Sequence, residues 1–443
     1  MLESLYAFLA MLALVLLARI PIAFAMGLVG FVGFSLVTSW NASLAMATII
    51  TYETAINYGL SVVPLFILMG NFVTRAGLSD ELYTAAHAFL GHRRGGLAMA
   101  TIVACGGFSA VCGSSLATAA TMSKVALPPM RRFGYSDALA TGSVAAGGTL
   151  GILIPPSVIL IILGIMTQSD IGLLFIAGIL PGLLGVLLYL VAVLITVTID
   201  PTAGPRGPRA DWHQRWHAVR GVSAVLALFV LVIGGIYAGM FTPTEAAGIG
   251  ASGAFMIALL RRKLSWPSLF ETLLESARTT AMIFVILIGA LIFSNFINIV
   301  GLPDLLLSWV TSFNLPPIAV ILLIMLVYVI LGTVLESLSM IMLTVPVFYP
   351  LVLGMELGGF SDALADPEMA LIWFGIIVVV ITEISLITPP VGLNVFVLKS
   401  MLKDVSLGTI FRGVTPFWIV DIVRLLILML IPSIVLLLPS LMN

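Results

Sequence analysis

The sequence predicts an all-α polytopic membrane protein, and two observations support this prediction. Hydrophobic residues make up 61% of the 443 residues and charged residues only 9%, whereas soluble domains are roughly a quarter charged. Mean hydropathy is +1.21, and apolar stretches of about twenty residues, long enough to cross the hydrocarbon core, recur along the chain. The second observation is a proline pair, Pro155-Pro156, which recurs as Pro389-Pro390 inside another apolar stretch.

A proline pair inside a membrane span breaks the helix, because proline removes a backbone hydrogen bond and clashes with the preceding turn. The freed carbonyl groups are tolerated in a bilayer only where protein or a water-filled cavity surrounds them. Broken spans at corresponding positions of two halves point to the binding site of a secondary transporter. We therefore predict a secondary transporter that consists of two repeats.

Further matching motifs in the two halves support the repeat. Ile20-Pro21 before Gly27 matches Thr242-Pro243 before Gly248, and the run Gly77 to Asp80 matches Gly301 to Asp304. These motifs occur in the same order in both halves, as an internal repeat requires. We predict a first repeat at residues 1–200, a cytoplasmic linker rich in Pro, Gly and Arg at 201–220, and a second repeat at 221–443.

Apolar segments predict about ten transmembrane spans and two re-entrant helical hairpins. The spans are expected at 4–18, 21–39, 60–74, 136–166, 171–198, 221–240, 243–260, 280–300, 369–398 and 408–437. The spans 136–166 and 369–398 contain the proline pairs and are predicted to be broken helices. Glycine and small polar residues interrupt the segments 97–130 and 316–350, which we expect to form the hairpins. Amphipathic arm helices are expected at the membrane interface, at 79–92 and 264–278.

The charges predict the orientation of these spans. When the linker 201–220 is placed in the cytoplasm, every Lys and Arg except Arg424 falls on that side, as the positive-inside rule requires. The acidic loop 356–368 then lies on the opposite face. Five spans in each repeat is an odd number, so the repeats are inverted and both termini are expected outside.

The hairpins carry polar residues at positions expected inside the membrane. In the first, glycines and hydroxyl side chains let the backbone turn and offer the oxygen ligands that an alkali cation accepts; the alternative is close helix packing through small residues. In the second, Glu336 is an ionisable group in an apolar segment and hence a functional candidate; the alternative is a carboxylate that caps the turn. The candidate residues are Ser109, Gly113, Ser114, Ser115, Thr118, Gly332, Thr333, Glu336 and Ser337.

The broken helices add candidates of two kinds. The first half of a broken helix ends in free carbonyl groups, which favour a cation, and the second half begins with free N–H groups, which favour an anionic substrate. A structural kink is the alternative. The side chains of Ser157, Thr388 and Asn394 can add contacts at these breaks.

Other polar residues allow fewer conclusions. Glu383 is either an ion or proton site or the partner of an amide or hydroxyl, and the sequence leaves both open. Asp421 and Arg424 are three apart, so they share a helix face and are expected to neutralise each other. Cys105 and Cys112 are expected to pack as small hydrophobic residues.

Several functional classes are excluded by composition and motifs. The net charge of -1 gives no reason to expect a nucleic acid partner. His213 and His217 are four apart without a further ligand nearby, so no transition metal is expected. The chain has no Walker-type phosphate loop, and no histidine lies in a predicted span to form the dyad of an intramembrane serine protease. We therefore expect neither ATP hydrolysis nor enzyme activity.

Six motifs in order resemble the large membrane subunit (M subunit, DctM-like) of tripartite ATP-independent periplasmic (TRAP) transporters. The resemblance covers essentially the whole chain. The motifs are VPLFILMGNF (63–72), CGGFSAVCGSSLATAATM (105–122), GTLGILIPPSVILIILG (148–164), FTPTEAAGIGA (241–251), LGTVLESLSMIMLTVPVFYP (331–350) and TEISLITPPVGLNVFV (382–397).

The resemblance implies an ion-transporter-superfamily elevator fold, in which a mobile transport domain moves against a scaffold. It implies sodium-driven import of an organic acid that a periplasmic substrate-binding protein delivers, in the bacterial inner membrane and without a cofactor other than sodium ions. It also implies a small four-helix membrane subunit, which we expect to be a separate polypeptide. The alternative is a stand-alone sodium/dicarboxylate carrier of the same superfamily.

The resemblance also implies where the ions and the substrate bind. One sodium site would combine Ser109, Gly113, Ser114 and Ser115 with the stretch from Gly148 through Gly151 to Pro155, and the other would combine Gly332, Thr333 and Glu336 with Thr388 and Pro389. Ser115, Thr118, Ser157, Ser337, Thr388 and Asn394 are the candidate substrate contacts. Sialic-acid members often have aspartate at the acidic hairpin position, so Glu336 argues against sialic acid as the substrate.

Overall fold

The computed structural model describes residues 10, 11, 13–15, 17–313, 315–333 and 335–442, and all of its regular elements are helices. The all-α prediction is therefore confirmed. The predicted span 4–18 lies mainly outside the described residues. Within them, seven helices are long and apolar enough to cross a membrane, and five apolar helices are shorter. The shorter ones include hairpin arms and a half of a broken helix, so the count of about ten spans stays a prediction.

Nine α-helices of the first half lie wholly within the described residues. Short 3-10 turns lie at Tyr58–Ser61 and Leu150–Ile152. The helices are α1 (Ile22–Val37), α2 (Trp40–Ile56), α3 (Val62–Arg75), α4 (Leu78–Leu90), α5 (Gly96–Cys112), α6 (Ser115–Arg132), α7 (Asp137–Thr149), α8 (Val158–Thr167) and α9 (Ile171–Ile199). Helix α2 was not expected from the sequence, because its Asn, Ser, Thr and Glu residues make it less apolar than the predicted spans.

The second half contains ten α-helices among the described residues. They are α10 (Trp212–Tyr237), α11 (Pro243–Leu260), α12 (Trp266–Ile299), α13 (Leu302–Ser312), α14 (Pro317–Gly332), α15 (Ser337–Leu353), α16 (Pro367–Ser385), α17 (Leu393–Met401), α18 (Leu407–Leu430) and α19 (Ser433–Leu436). The loop between α15 and α16 contains 3-10 turns at Leu357–Gly359 and Asp362–Leu364, and another follows at Pro439–Leu441.

The helix bounds in two segments differ from the predicted division of the chain. The linker 201–220 is helical from Trp212 onward, because Asp211 and Gln214 form a capping box that starts α10. The segment 264–278 is not a separate arm helix, since no Gly or Pro interrupts the chain between Pro267, in the first turn of the helix, and the span at 280–300. The segment 264–278 and the predicted span at 280–300 lie almost entirely within the single 34-residue helix α12.

The matching motifs at Gly77 and Gly301 stand at the starts of equivalent helices. Gly77 and Gly301 both adopt positive φ, at 75° and 69°, and each stands directly before a short helix, α4 or α13. Glycine suits this left-handed conformation because it has no Cβ. The counterpart of α4 in the second half is therefore α13 and not the segment 264–278.

The packing surrounds α16 with other helices. Every α16 residue from Met369 to Ser385 is buried, and α16 contacts α8, α9, α14, α15 and α18. Helix α12 packs against α1 and α3 and also reaches α15. The long helix α12 thus contacts both the N-terminal helices and the second of the predicted hairpins.

Candidate functional site

The first hairpin consists of α5 and α6, which are joined by Gly113 and Ser114. Gly113 has a φ of 63° and donates its N–H to the Ser109 carbonyl at 3.3 Å. The Ser114 hydroxyl accepts the Ala117 N–H at 3.4 Å and so caps α6. A turn of two residues between helices therefore forms where the sequence has its cluster of small polar residues.

The tip of the first hairpin lies directly against the first break, which we define as residues 150–157. A Cβ added at Gly151 would come within 2.8 Å of the Ser114 carbonyl oxygen, and one at Gly113 would come within 3.2 Å of the Pro156 oxygen. The Ser115 hydroxyl donates to the Thr149 carbonyl at 3.4 Å. The carbonyl oxygens of Ser114, Thr149 and Pro156 therefore all lie at the contact between the tip and the first break.

The other candidates near this tip have different surroundings. The Ser109 hydroxyl donates to the Cys105 carbonyl at 2.6 Å, inside its own helix. The Ser157 hydroxyl donates to the Ile152 carbonyl and caps α8. The buried Thr118 hydroxyl has no hydrogen-bond partner among the described residues. A Cβ at Gly148 would lie 2.8 Å from Ala119 Cβ, so Gly148 serves the contact between α7 and α6.

The second hairpin consists of α14 and α15. The Thr333 hydroxyl donates to the Ile330 carbonyl at 2.7 Å. Glu336 occupies the N-cap position of α15, but its side chain makes no capping hydrogen bond. The structure therefore does not show the alternative in which this carboxylate caps the turn. Gly332 lies against α16, since an added Cβ would come within 2.2 Å of Ser385.

The second break, residues 386–392, differs from the first. The Thr388 hydroxyl donates to the Ile384 carbonyl at 2.6 Å and accepts the Trp418 indole N–H at 2.9 Å. Pro389 and Pro390 are exposed, whereas Pro155 and Pro156 are buried. Both proline pairs contain a cis peptide bond.

Asn394 connects the two broken helices. Its Nδ2 donates to the Ala145 carbonyl of α7 at 3.1 Å, and its buried Oδ1 has no partner within the described part of the chain. The sequence suggested that Asn394 contacts the substrate. In the structure it ties the second break to α7 instead of reaching the cavity described next.

The two hairpin tips meet at one cavity of about 240 Å³, here called the central cavity. Of the candidates, Gly113, Ser114, Ser115, Glu336 and Ser337 line it, and Thr118, Ser157, Thr388 and Asn394 do not. Helices α3 and α12 form the opposite wall. The lining residues are Ile67, Asn71, Cys112, Gly113, Ser114, Ser115, Leu116, Ala117, Ile152, Val158, Ile159, Glu275, Thr279, Met282, Ile283, Glu336, Ser337 and Leu338.

The central cavity combines two helix N-termini with two carboxylates. The first turns of α6 and α15 both line it, and N–H groups at a helix start favour anions. Glu336 at the second hairpin tip and Glu275 on the opposite wall both line the cavity, and no Lys or Arg occurs among the described lining residues. The helix N-termini suit an anionic ligand, but the acidic side chains oppose it unless cations are bound nearby.

Sequence reasoning missed the polar residues on the opposite wall. The Asn71 amide donates to the Ser276 hydroxyl at 2.8 Å and so links α3 to α12. Asn71 lies in the motif 63–72, which was noted only as a family signature. Cys112 also lines the cavity, so only Cys105 is fully buried in the packing as expected.

A buried ion cluster lies behind the first hairpin. The Arg424 guanidinium contacts Glu383 at 2.6 Å and Asp421 at 3.1 Å, and all three side chains are inaccessible to solvent. The expected pairing of Asp421 with Arg424 is confirmed. Tyr189 donates its hydroxyl to Asp421 at 2.5 Å, and its hydroxyl lies 2.9 Å from the Thr149 hydroxyl. The cluster thus extends to Thr149, whose carbonyl accepts a hydrogen bond from Ser115 at the hairpin tip.

Comparison with known proteins assigns the chain to a family. The model of the tripartite ATP-independent periplasmic transporter, DctM component, matches residues 9–434. The C4-dicarboxylate TRAP transporter large permease protein DctM of Pseudomonas aeruginosa is 39% identical over 391 residues, 88% of each chain. The isethionate TRAP transporter permease protein DctMQ of Oleidesulfovibrio alaskensis is 33% identical over 95% of this chain and 64% of its own.

The fold is similar to that of a solved transporter structure. The YdaH transporter of Alcanivorax borkumensis superposes with a TM-score of 0.64 over 96% of this chain and 97% of that one, at 15% sequence identity. At this identity the likeness concerns the fold alone. The sequence match over most of the length, together with the apolar helices, shows that this multi-pass membrane protein belongs to the family of TRAP transporter large permeases, the DctM components.

Proposed function

We propose that this permease imports a small organic acid by sodium-coupled secondary transport, with both hairpin tips forming the site. The observation that carries the proposal is the central cavity, where the N-termini of α6 and α15 meet beside Glu275 and Glu336. An organic anion in that cavity would be repelled by the carboxylates. Sodium ions bound by the carbonyl groups at the hairpin tips would offset this repulsion, so the anion and the cations would bind together.

The size of the cavity favours a small substrate. Its volume of about 240 Å³ lies below the roughly 300–1,000 Å³ of pockets for drug-sized ligands. The relatives named above are described as transporters of C4-dicarboxylates and of isethionate, which are both small organic anions. A C4-dicarboxylate is therefore the first substrate to test.

The proposal includes an elevator mechanism, a small four-helix membrane subunit and a periplasmic substrate-binding protein. The DctMQ relative supports a second membrane subunit, because this chain accounts for only 64% of its length. We further propose a bacterial inner-membrane location with both termini in the periplasm, on the basis of the Lys and Arg distribution.

Reconstitution tests the proposal. Vesicles that contain the permease and its small subunit, supplied with the loaded binding protein, should accumulate a C4-dicarboxylate when an inward sodium gradient is imposed without ATP. Replacing sodium by potassium should abolish the accumulation, and equal uptake in potassium would refute sodium coupling. Uptake that persists without the binding protein would favour the stand-alone carrier.

A further inference from the structure

The buried ion cluster contains more negative than positive groups. Glu383 from α16 and Asp421 from α18 both contact Arg424, and each of the three side chains has an exposed fraction of 0%. Arginine remains charged in proteins, so two ionised carboxylates would leave one negative charge unbalanced. An unbalanced charge in a buried site is so costly that such a group usually takes up a proton instead.

No other element around Glu383 supplies the missing positive charge. Helices α8, α14, α15 and α19 pack against α16, and their described residues include no Lys, Arg or His. The titratable residues they contribute are Tyr328 and Tyr349, whose hydroxyls bond to Thr344 and to a main-chain carbonyl. From α9, Tyr189 donates its hydroxyl to Asp421 and adds no positive charge.

The geometry also indicates which carboxyl group takes the proton. Arg424 lies closer to Glu383, at 2.6 Å, than to Asp421, at 3.1 Å, and only the Glu383 contact has hydrogen-bond geometry. Asp421 nevertheless has a stabilising contact at each oxygen, since Oδ2 accepts the Tyr189 hydroxyl and Oδ1 pairs with Arg424, and both contacts favour its ionised form. Glu383 uses only Oε2 for Arg424, and its buried Oε1 has no partner among the described residues. A metal cation is a poor alternative, since the guanidinium would repel it and a sodium ion needs several oxygen ligands.

We propose that the cluster is a proton-binding site in which Glu383 is the neutral acid and Asp421 the carboxylate that balances Arg424. The site is separate from the hairpin tips and does not depend on the proposed sodium coupling. Glu383 is thus neither a sodium ligand nor the partner of an amide, which answers the question that the sequence left open.

Infrared spectroscopy of the intact permease with its small subunit in lipid nanodiscs tests this proposal. At neutral pH the wild type should show the carbonyl band of a buried protonated carboxyl group, and Glu383→Gln should lose that component. Glu368→Gln, which changes an exposed residue at the start of the same helix, should keep it. The measurement requires only folded protein, which size-exclusion chromatography of each variant establishes.

A second variant makes the test sharper. In Asp421→Asn, Glu383 becomes the only carboxylate available to Arg424, so it should ionise and the same band should disappear although Glu383 is still present. The proposal is overturned if Glu383→Gln leaves the spectrum unchanged, or if Asp421→Asn retains the band. Should Glu383→Gln fail to fold, the Asp421→Asn spectrum alone decides between the two outcomes.

Discussion

Replacing Gly151 by alanine is expected to separate the first hairpin from the first break. The new Cβ would lie 2.8 Å from the Ser114 carbonyl oxygen and 3.0 Å from the Ser115 amide nitrogen. These are backbone atoms, so no side-chain rotation relieves the contact. The two segments must move apart by about 0.6 Å to reach ordinary van der Waals contact at 3.4 Å.

This displacement sets the size of the effect. Overpacking by one methyl group costs about 1–3 kcal/mol. If sodium holds the tip and the break together, that cost opposes sodium binding directly. Since about 1.4 kcal/mol corresponds to a factor of ten in affinity, we expect the sodium concentration at half-maximal uptake to rise roughly tenfold or more, with part of the uptake restored at high sodium.

The assay is uptake into vesicles over a range of sodium concentrations, with Gly248→Ala as the matched control. A Cβ at Gly248, in α11, would have no neighbour within 4 Å, so this variant should behave as wild type. Thermal unfolding of both variants checks that the protein stays folded. Unchanged sodium dependence in a folded Gly151→Ala variant would refute a sodium site between tip and break.

The remaining predictions concern the cavity and the orientation. Ser115→Ala should insert normally, but loss of one ligand is expected to cost about 1.5–3 kcal/mol, so its sodium affinity should fall about tenfold and high sodium should partly rescue uptake. Glu336→Ala should transport poorly at every sodium concentration; wild-type sodium dependence in both variants would mean that the tips only pack. A thiol reagent should inhibit transport through Cys112, which lines the cavity, more slowly when sodium and substrate are present; equal inhibition of Cys112→Ala would contradict this. In a cysteine-free background, an impermeant reagent applied to intact cells should label a cysteine at Asp362 but not at Ala210, and the reverse result would invert the topology.

Local features of the fold could be predicted from the sequence because their causes are local. The cluster around Gly113 predicted a turn, and the helices α5 and α6 end and begin there. The proline pairs predicted two interruptions, and α7 and α16 both stop before them. Proline and glycine act through their own backbone geometry, so no knowledge of distant neighbours is needed.

Long-range pairings could not be predicted in the same way. Asn71 and Ser276 are 205 residues apart, and Tyr189 and Asp421 are 232 apart. A single sequence contains no signal that joins such residues, because each pairing depends on how separate helices pack. For the same reason the sequence left Glu383 without an assigned partner.

The length of α12 has a consequence for how the central cavity is positioned in the bilayer. At a rise of 1.5 Å per residue, its 34 residues extend about 51 Å, well beyond the roughly 30 Å of the hydrocarbon core. The uncharged part of α12 begins after Arg278. The cavity-lining residues Glu275 and Thr279 lie on either side of Arg278, where the charged part of the helix ends.

We therefore expect the cavity to lie nearer to one surface of the membrane than to its midplane. In the proposed elevator mechanism, this position would be one end of the movement of the hairpins. In the other state we expect the hairpin tips to contact the far, uncharged end of α12, around Phe293 to Ile299. The polar contacts that Glu275 and Thr279 offer would then be available to the substrate only at one side of the membrane, which would make release and capture chemically different events.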